Sequence, residues 1–173
     1  ECESKGAMPP PQLLASCKTF EEKFPKSPRL DDVLFAKGTA LRATGKIWEA
    51  KKAWLQIPAA SPRTPEGLYA AALLHVGENG RTNGIEELRR ALPLLRRVVK
   101  EFPASDQAPR AAFLIGLALS QYEDLREDAR QALAAFADTK NERAPEALLK
   151  VAQLYRADQD NAKAVSTAED FLK

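Results

Sequence analysis

The sequence predicts an all-α fold, a right-handed superhelix (an α-solenoid) of about four helix pairs with one extra N-terminal helix, and three observations predict it. Asp31, Pro65, Pro109 and Pro145 mark equivalent helix starts at spacings of 34, 44 and 36 residues, and self-similarity at a period between about 20 and 50 residues is the mark of stacked repeats. Seven residues after each start stands a small residue: Gly38, Ala72, Gly116 and Ala152. Apolar residues recur at helical period, clearest at Leu88, Leu92, Leu95, Val99 and Phe102, and no stretch alternates β-branched residues as a strand would.

Residues 11–24 form the extra helix, packing on the repeat that follows. The first repeat, 28–60, carries Leu34, Gly38 and Leu41 on its first helix and Ala50, Trp54 and Ile57 on its second. The second, 62–104, carries Leu68, Ala72 and His75, then Ala91, Leu95 and Val98. The third, 106–140, reads Ala112, Gly116 and Leu119, then Ala129, Leu133 and Phe136, and the fourth, 142–173, reads Leu148, Ala152 and Tyr155, then Ala164, Ala168 and Phe171. The small first-helix residues suit a crossing of the two helices of a repeat, and Ala50, Ala91, Ala129 and Ala164 suit close approach of the next helix. Ser27-Pro28, Ser61-Pro62, Thr64-Pro65 and Ser105-Asp106 signal helix starts, with side-chain oxygens expected to cap the first free amides. Pro93 falls inside a helix and is expected to kink or break it. Residues 77–84, with Gly77, Gly80 and Gly84, read as an elongated turn that accounts for most of the spacing of 44.

A chain of 173 residues buries about 70% of the surface its unfolded form exposes, enough for a core without metals or disulfides. Residues 11–173 are read as a single domain, and 1–10 as a flexible tail or cloning remnant. Net charge is +2 with the two signs interleaved, so no broad field favours nucleic acid. Arg89, Arg96 and Lys100 lie among Glu86, Glu87 and Glu101 and read as a solvated helix face. Nothing approaches the run of about 20 apolar residues that spans a bilayer. Leu14-Ala15-Ser16-Cys17 resembles a lipoprotein cleavage box, yet no apolar stretch precedes it. Cys17 is therefore read as a small residue of the first helix, with Cys2 either free or paired with it in an oxidising compartment.

Few parts for catalysis are present. His75 is the only histidine, and neither cysteine has a histidine near it in sequence, so no catalytic residue, metal site or cofactor is expected and His75 is read as a packing residue. Glu86-Glu87 and Glu123-Asp124 stand next to helix starts, where carboxylates complement the helix dipole. The glycines of 77–84 follow no strand and bring no lysine of a phosphate loop.

The four registers together resemble the tetratricopeptide repeat family over roughly residues 28–173, with Lys37 and His75 departing from the usual residue types and one extra residue before Ala129. That resemblance implies a non-enzymatic protein-interaction scaffold whose first helices line a concave face. Phe35, Tyr69, Phe113 and Leu149 fall in turn at one lining position, with Thr39, Arg42, Leu73, Leu117, Gln121, Lys150, Gln153 and Arg156 around it. Apolar anchors ringed by polar groups suit a peptide or a partner protein. Phe24-Pro25-Lys26-Ser27 and Phe102-Pro103-Ala104-Ser105 are similar to junctions of bacterial envelope members, and Ala144-Pro145-Glu146-Ala147-Leu148-Leu149-Lys150-Val151 is similar to a phrase of the Tol-Pal coordinator family. That family and the outer-membrane assembly lipoprotein are non-enzymatic envelope adaptors. This implies a periplasmic adaptor, associated with the outer membrane within a larger envelope complex. Two other readings stand beside it: a superhelical, non-catalytic domain of a larger peptidoglycan-processing enzyme, and a cytoplasmic chaperone adaptor, from whose lysine and asparagine pattern Phe35, Tyr69 and Phe113 depart.

Overall fold

Helical period and turn residues translate into helices almost segment by segment in the computed structural model, which describes residues 8–139 and 141–171. Among the described residues the α-helices are α1 (Pro10–Lys23), α2 (Leu30–Ala43), α3 (Ile47–Leu55), α4 (Thr64–Ala72), α5 (Ile85–Glu101), α6 (Gln107–Leu119), α7 (Arg126–Ala137), α8 (Ala144–Ala157) and α9 (Asn161–Phe171). A 3-10 turn, Glu123–Leu125, takes up the extra residue before α7. The chain divides into two compact units, Glu1–Leu74 and His75–Lys173. Cys2 lies outside the described residues.

In the first unit α1 packs on α2, α2 on α3 and α3 on α4. A Cβ at Gly38 would collide with the Trp54 ring, so the bare backbone of α2 is the seat of that indole. Trp54 is buried, and its Nε1 donates to the Phe35 carbonyl at 3.1 Å, which leaves no unsatisfied N–H in the contact. Lys37, out of pattern for the repeat, is explained by α1: its Nζ reaches the two Glu21 carboxylate oxygens at 2.9 and 2.7 Å, while its stem covers the α1–α2 contact. Cys17 is buried on the same side of α1, and burial, with Glu21 adding to it, pushes its thiol pKa up.

The second unit repeats the device. Here α5 packs on α6, α6 on α7, α7 on α8 and α8 on α9. A Cβ at Gly116 would lie 2.5 Å from Cγ of Leu133. Phe113, Leu114 and Leu133 are buried around this crossing, and the Phe113 and Phe136 rings meet tilted at 5.1 Å. Burial of each such side chain stabilises by about 1.5–3 kcal/mol. Arg126 pairs with Asp158 at 2.7 Å and Arg130 bonds its other oxygen, tying α7 to the end of α8. Across both units Ala50, Ala72, Ala91 and Ala129 are fully buried and Ala152 nearly so, whereas Ala164 of α9 is only half-buried.

Junctions between helix pairs share one backbone pattern. Ser27 N–H bonds the Phe24 carbonyl and Leu30 N–H bonds that of Ser27. Ser61 on Pro58 and Thr64 on Ser61 repeat it, as do Ser105 on Phe102 and Ala108 on Ser105, all between 2.9 and 3.1 Å. The serine side chains do not cap the helices as expected. Oγ of Ser27 and of Ser61 accepts from the amide two residues on, Arg29 at 3.2 Å and Arg63 at 3.1 Å, and Oγ of Ser105 donates back to Phe102. Two linked turns hold each serine too far ahead of the helix for its oxygen to reach the first free amides, so it braces the turn instead. Pro93 does not break α5, which runs on through it. The proline is exposed, so water can serve the carbonyl that its missing N–H leaves open.

Gly116→Ala is expected to destabilise the protein by about 1–3 kcal/mol in urea unfolding, although alanine is the better helix former; a gain in stability would show that α6 and α7 do not meet at this residue. In a Cys2→Ser variant, the Cys17 thiol is expected to react with a disulfide reagent much more slowly in native than in unfolded protein, and equal rates would contradict its burial.

Candidate binding groove

The second unit carries a groove of about 620 Å³ on the side of its first helices. Leu117 of α6 and Leu149, Lys150 and Gln153 of α8 line it, with Arg143 and Glu146 at the start of α8 and Glu78 and Asn79 from the loop before α5. Leu149 and Gln153 lie one helical turn apart and so share a face. Leu149 is 44% exposed, an apolar side chain with no cover. Arg143 stacks on the Phe113 ring at 4.1 Å and donates from Nε and Nη2 to the two oxygens of Glu146 at 2.8 and 3.0 Å. The stack and the fork together fix the guanidinium. Lys150 is half-buried and forms no ion pair among the described residues.

The loop that forms part of the lining is a tight hairpin turn. Val76 and Thr82 form an antiparallel bridge, Gly77 N–H bonds the Arg81 carbonyl at 2.8 Å, and Gly80 N–H bonds that of Gly77 at 2.8 Å. Gly80 has a φ of +79°, which completes a turn with a left-handed bulge residue and leaves Glu78 and Asn79 at the tip. The hairpin is fastened to α6 and the residues after it. A Cβ on Gly80 would lie 2.6 Å from that of Leu117; the Gln121 amide donates to the Gly80 carbonyl and accepts from Thr82 N–H at 3.3 Å; Thr82 Oγ1 meets the Tyr122 hydroxyl at 2.5 Å.

Of the residues the sequence assigned to a lining, the structure brings Leu117, Leu149, Lys150 and Gln153 together in this groove. Gln121 instead holds the loop. Phe113 is 1% exposed, a core residue beneath Arg143, and Tyr69 is buried in the first unit. Arg156 is exposed one turn beyond the groove. In the first unit Phe35 is half-buried under the Arg63 guanidinium at 5.6 Å, Thr39 donates its hydroxyl to the Phe35 carbonyl, Leu73 is half-buried and Arg42 is exposed. Glu78, Asn79, Arg143 and Glu146 escaped the sequence reading. The Asn79-Gly80 pair, a hairpin-turn signal, and the Arg143 and Glu146 spacing were their only traces.

A model of the tetratricopeptide repeat family matches residues 146–173. A solved structure described as "MamA RS-1 ArsTM double mutant" superimposes with a TM-score of 0.65 at 19% identity, over 94% of this chain and 83% of that chain. The fold is a tetratricopeptide-like helical repeat. No curated protein matches the sequence.

Two further features of the repeat fold bear on the site. A second groove of about 680 Å³, between the end of α5, α6 and α7, is almost wholly apolar, with Val99, Ala112, Ile115, Ala132 and Phe136 among its lining. It lacks the charged groups that would set the register of a ligand. His75 is buried, as expected of a packing residue, but it is also bonded: Nδ1 lies 2.7 Å from Glu87 Oε2, and Arg90 pairs with the other oxygen at 2.6 Å. No cluster of His, Cys, Asp or Glu side chains among the described residues has the arrangement of a metal site.

The bond from His75, helped by Arg90, holds the Glu87 carboxyl below its ordinary value of 4.5. A depressed carboxyl contributes stability that is fully present above that value and is lost as pH falls through the folded-state pKa. Urea midpoints measured from neutral to acid pH are therefore expected to fall less steeply below about pH 4.5 for Glu87→Gln than for the native protein, and identical slopes would remove Glu87 from the acid limb.

Proposed function

We propose that the chain is a non-enzymatic adaptor that captures a peptide segment of a partner protein in the groove of its second unit. Leu117 and Leu149 receive an apolar side chain, Gln153 and Asn79 pair with peptide backbone, and Lys150 meets a carboxylate. The observation that carries this is the lining itself: exposed Leu149 beside a half-buried, unpaired Lys150, over a fixed Arg143. Enclosure weakens the hydration of Lys150, so an opposing charge is worth more there than at an open surface.

This chemistry supports the adaptor that reads a carboxylate over the aromatic-anchored envelope scaffold, because Tyr69 and Phe113 lie in the core while Lys150 lines the groove with no ion pair among the described residues. The junction phrases that suggested an envelope role build the turns at Phe24 to Ser27 and Phe102 to Ser105, so the fold alone accounts for them. We carry the cytoplasmic adaptor as the main reading and the periplasmic one, with its envelope complex, as the second. Capture on immobilised protein from separated cytoplasmic and periplasmic fractions decides between them.

The direct test uses an array of octapeptides with a central Leu and one neighbouring Asp or Asn, read by fluorescence. The Asp peptides are expected to bind more tightly, and Lys150→Gln to erase the difference at a cost of about 1–2 kcal/mol without lowering stability. Equal binding of Asp and Asn peptides by the native protein would overturn the reading.

A further inference from the structure

The groove holds a cation and an anion that are both unmatched among the described residues. Arg143 is already matched by Glu146. Lys150, on α8, and Glu78, at the tip of the hairpin turn, form no ion pair among the described residues, and both line the same groove. Resting on the peptide-site reading above, we infer that the 77–84 loop is a fixed specificity wall, and that through Glu78 it selects a segment bearing a basic side chain next to its carboxylate.

Two steps carry this. First, the wall is held in place. Val76, which begins the hairpin, is 1% exposed, Gly80 sits directly on the Leu117 backbone, and the Gln121 amide bonds both Gly80 and Thr82. Asn79 Oδ1 accepts from Arg81 N–H at 3.1 Å and stiffens the tip beside Glu78. Such a support fixes the backbone from which the Glu78 carboxylate is presented to the groove. Second, a ligand displaces water from both charged groups. A uniformly acidic peptide satisfies Lys150 but sets its own charge against Glu78, and a uniformly basic one does the reverse. A neutral peptide strips water from both and replaces it with nothing. Only a segment of mixed charge meets both, and like-charge rejection sharpens the choice.

The test is an array of octapeptides with a central Leu, in which one flank is Asp or Ser and the other is Lys, Ser or Asp, bound by the full chain. Peptides with Asp on one flank and Lys on the other are expected to bind best, by about fivefold or more over the Ser variants, about 1 kcal/mol. Glu78→Lys is expected to convert the preference for Lys into one for Asp while the requirement at the Asp flank persists. Glu78→Ala, which removes the carboxylate and leaves the seat of Gly80 on Leu117 intact, is expected to abolish only the Lys preference. Circular dichroism checks that both variants remain helical, and Glu78→Gln, a neutral change at an exposed turn, stands in for any that does not. Selection for Asp alone, unchanged by Glu78→Lys, would overturn the inference and leave the adaptor reading intact. No selection at either flank would overturn both.

Discussion

A missing Cβ at the helix crossings sets the geometry on which the other contacts depend. Helix axes pack about 8–10 Å apart when ordinary side chains intervene, and at Gly38 and Gly116 the partner helix brings Trp54 and Leu133 directly onto the backbone. The two large residues differ in shape, yet the bare site is the same. Each seat also fixes how the first helix is rotated. With Gly116 turned toward Leu133, Phe113, one turn earlier on the same face, is drawn into the core. Leu117 is turned about 100° from Gly116 and is left at the groove. The position of the groove is thus a consequence of the packing.

The same constraint explains what could be read from the sequence. Helix positions and the small crossing residues were legible because each follows from a local period or from residue size. Assignment to a face was legible only to within about one residue step of a helix. Phe113 and Leu117 both belong to the first helix of the third repeat, and which of them faces the groove is decided by the crossing. The helix-start serines misled for a related reason. Ser27 and Ser61 have the chemistry of caps, but the linked junction turns place them ahead of the helix, where they bond Arg29 and Arg63. Arg143 and Glu78 lie outside any helical register, so no periodic pattern could bring them to the groove; that took the stack on Phe113 and the seat of Gly80 on Leu117.

Much of the charge on the second unit is paired locally. Along α5, Arg89 pairs with Glu86, Arg90 with Glu87 and Arg97 with Glu101, each within one turn of its own helix. Such exposed pairs contribute little stability apiece, and Arg96 and Lys100 remain outside them as solvated charges. Asp158 gathers Arg126 and Arg130 at the end of α8. Lys150 and Glu78, like Arg96 and Lys100, form no ion pair among the described residues; what sets them apart is that both line one groove.

The excess length of the second repeat then acquires a physical meaning. A turn that merely joined two helices would need few residues and no anchoring, as the Schellman-like turn at Gly45 does in the first unit, where Lys46 N–H returns to the Leu41 carbonyl at 2.9 Å. The 77–84 segment instead forms its own bridge and is bonded to Gln121 and Tyr122, roughly 40 residues away in sequence. Holding eight or so residues in one conformation costs on the order of 1 kcal/mol of backbone entropy for each. The hairpin bonds and the contact of Gly80 with Leu117 offset that cost, but a shorter turn would have avoided it. What the longer turn adds, and a shorter one could not, is a carboxylate presented at the side of the groove that Lys150 also lines.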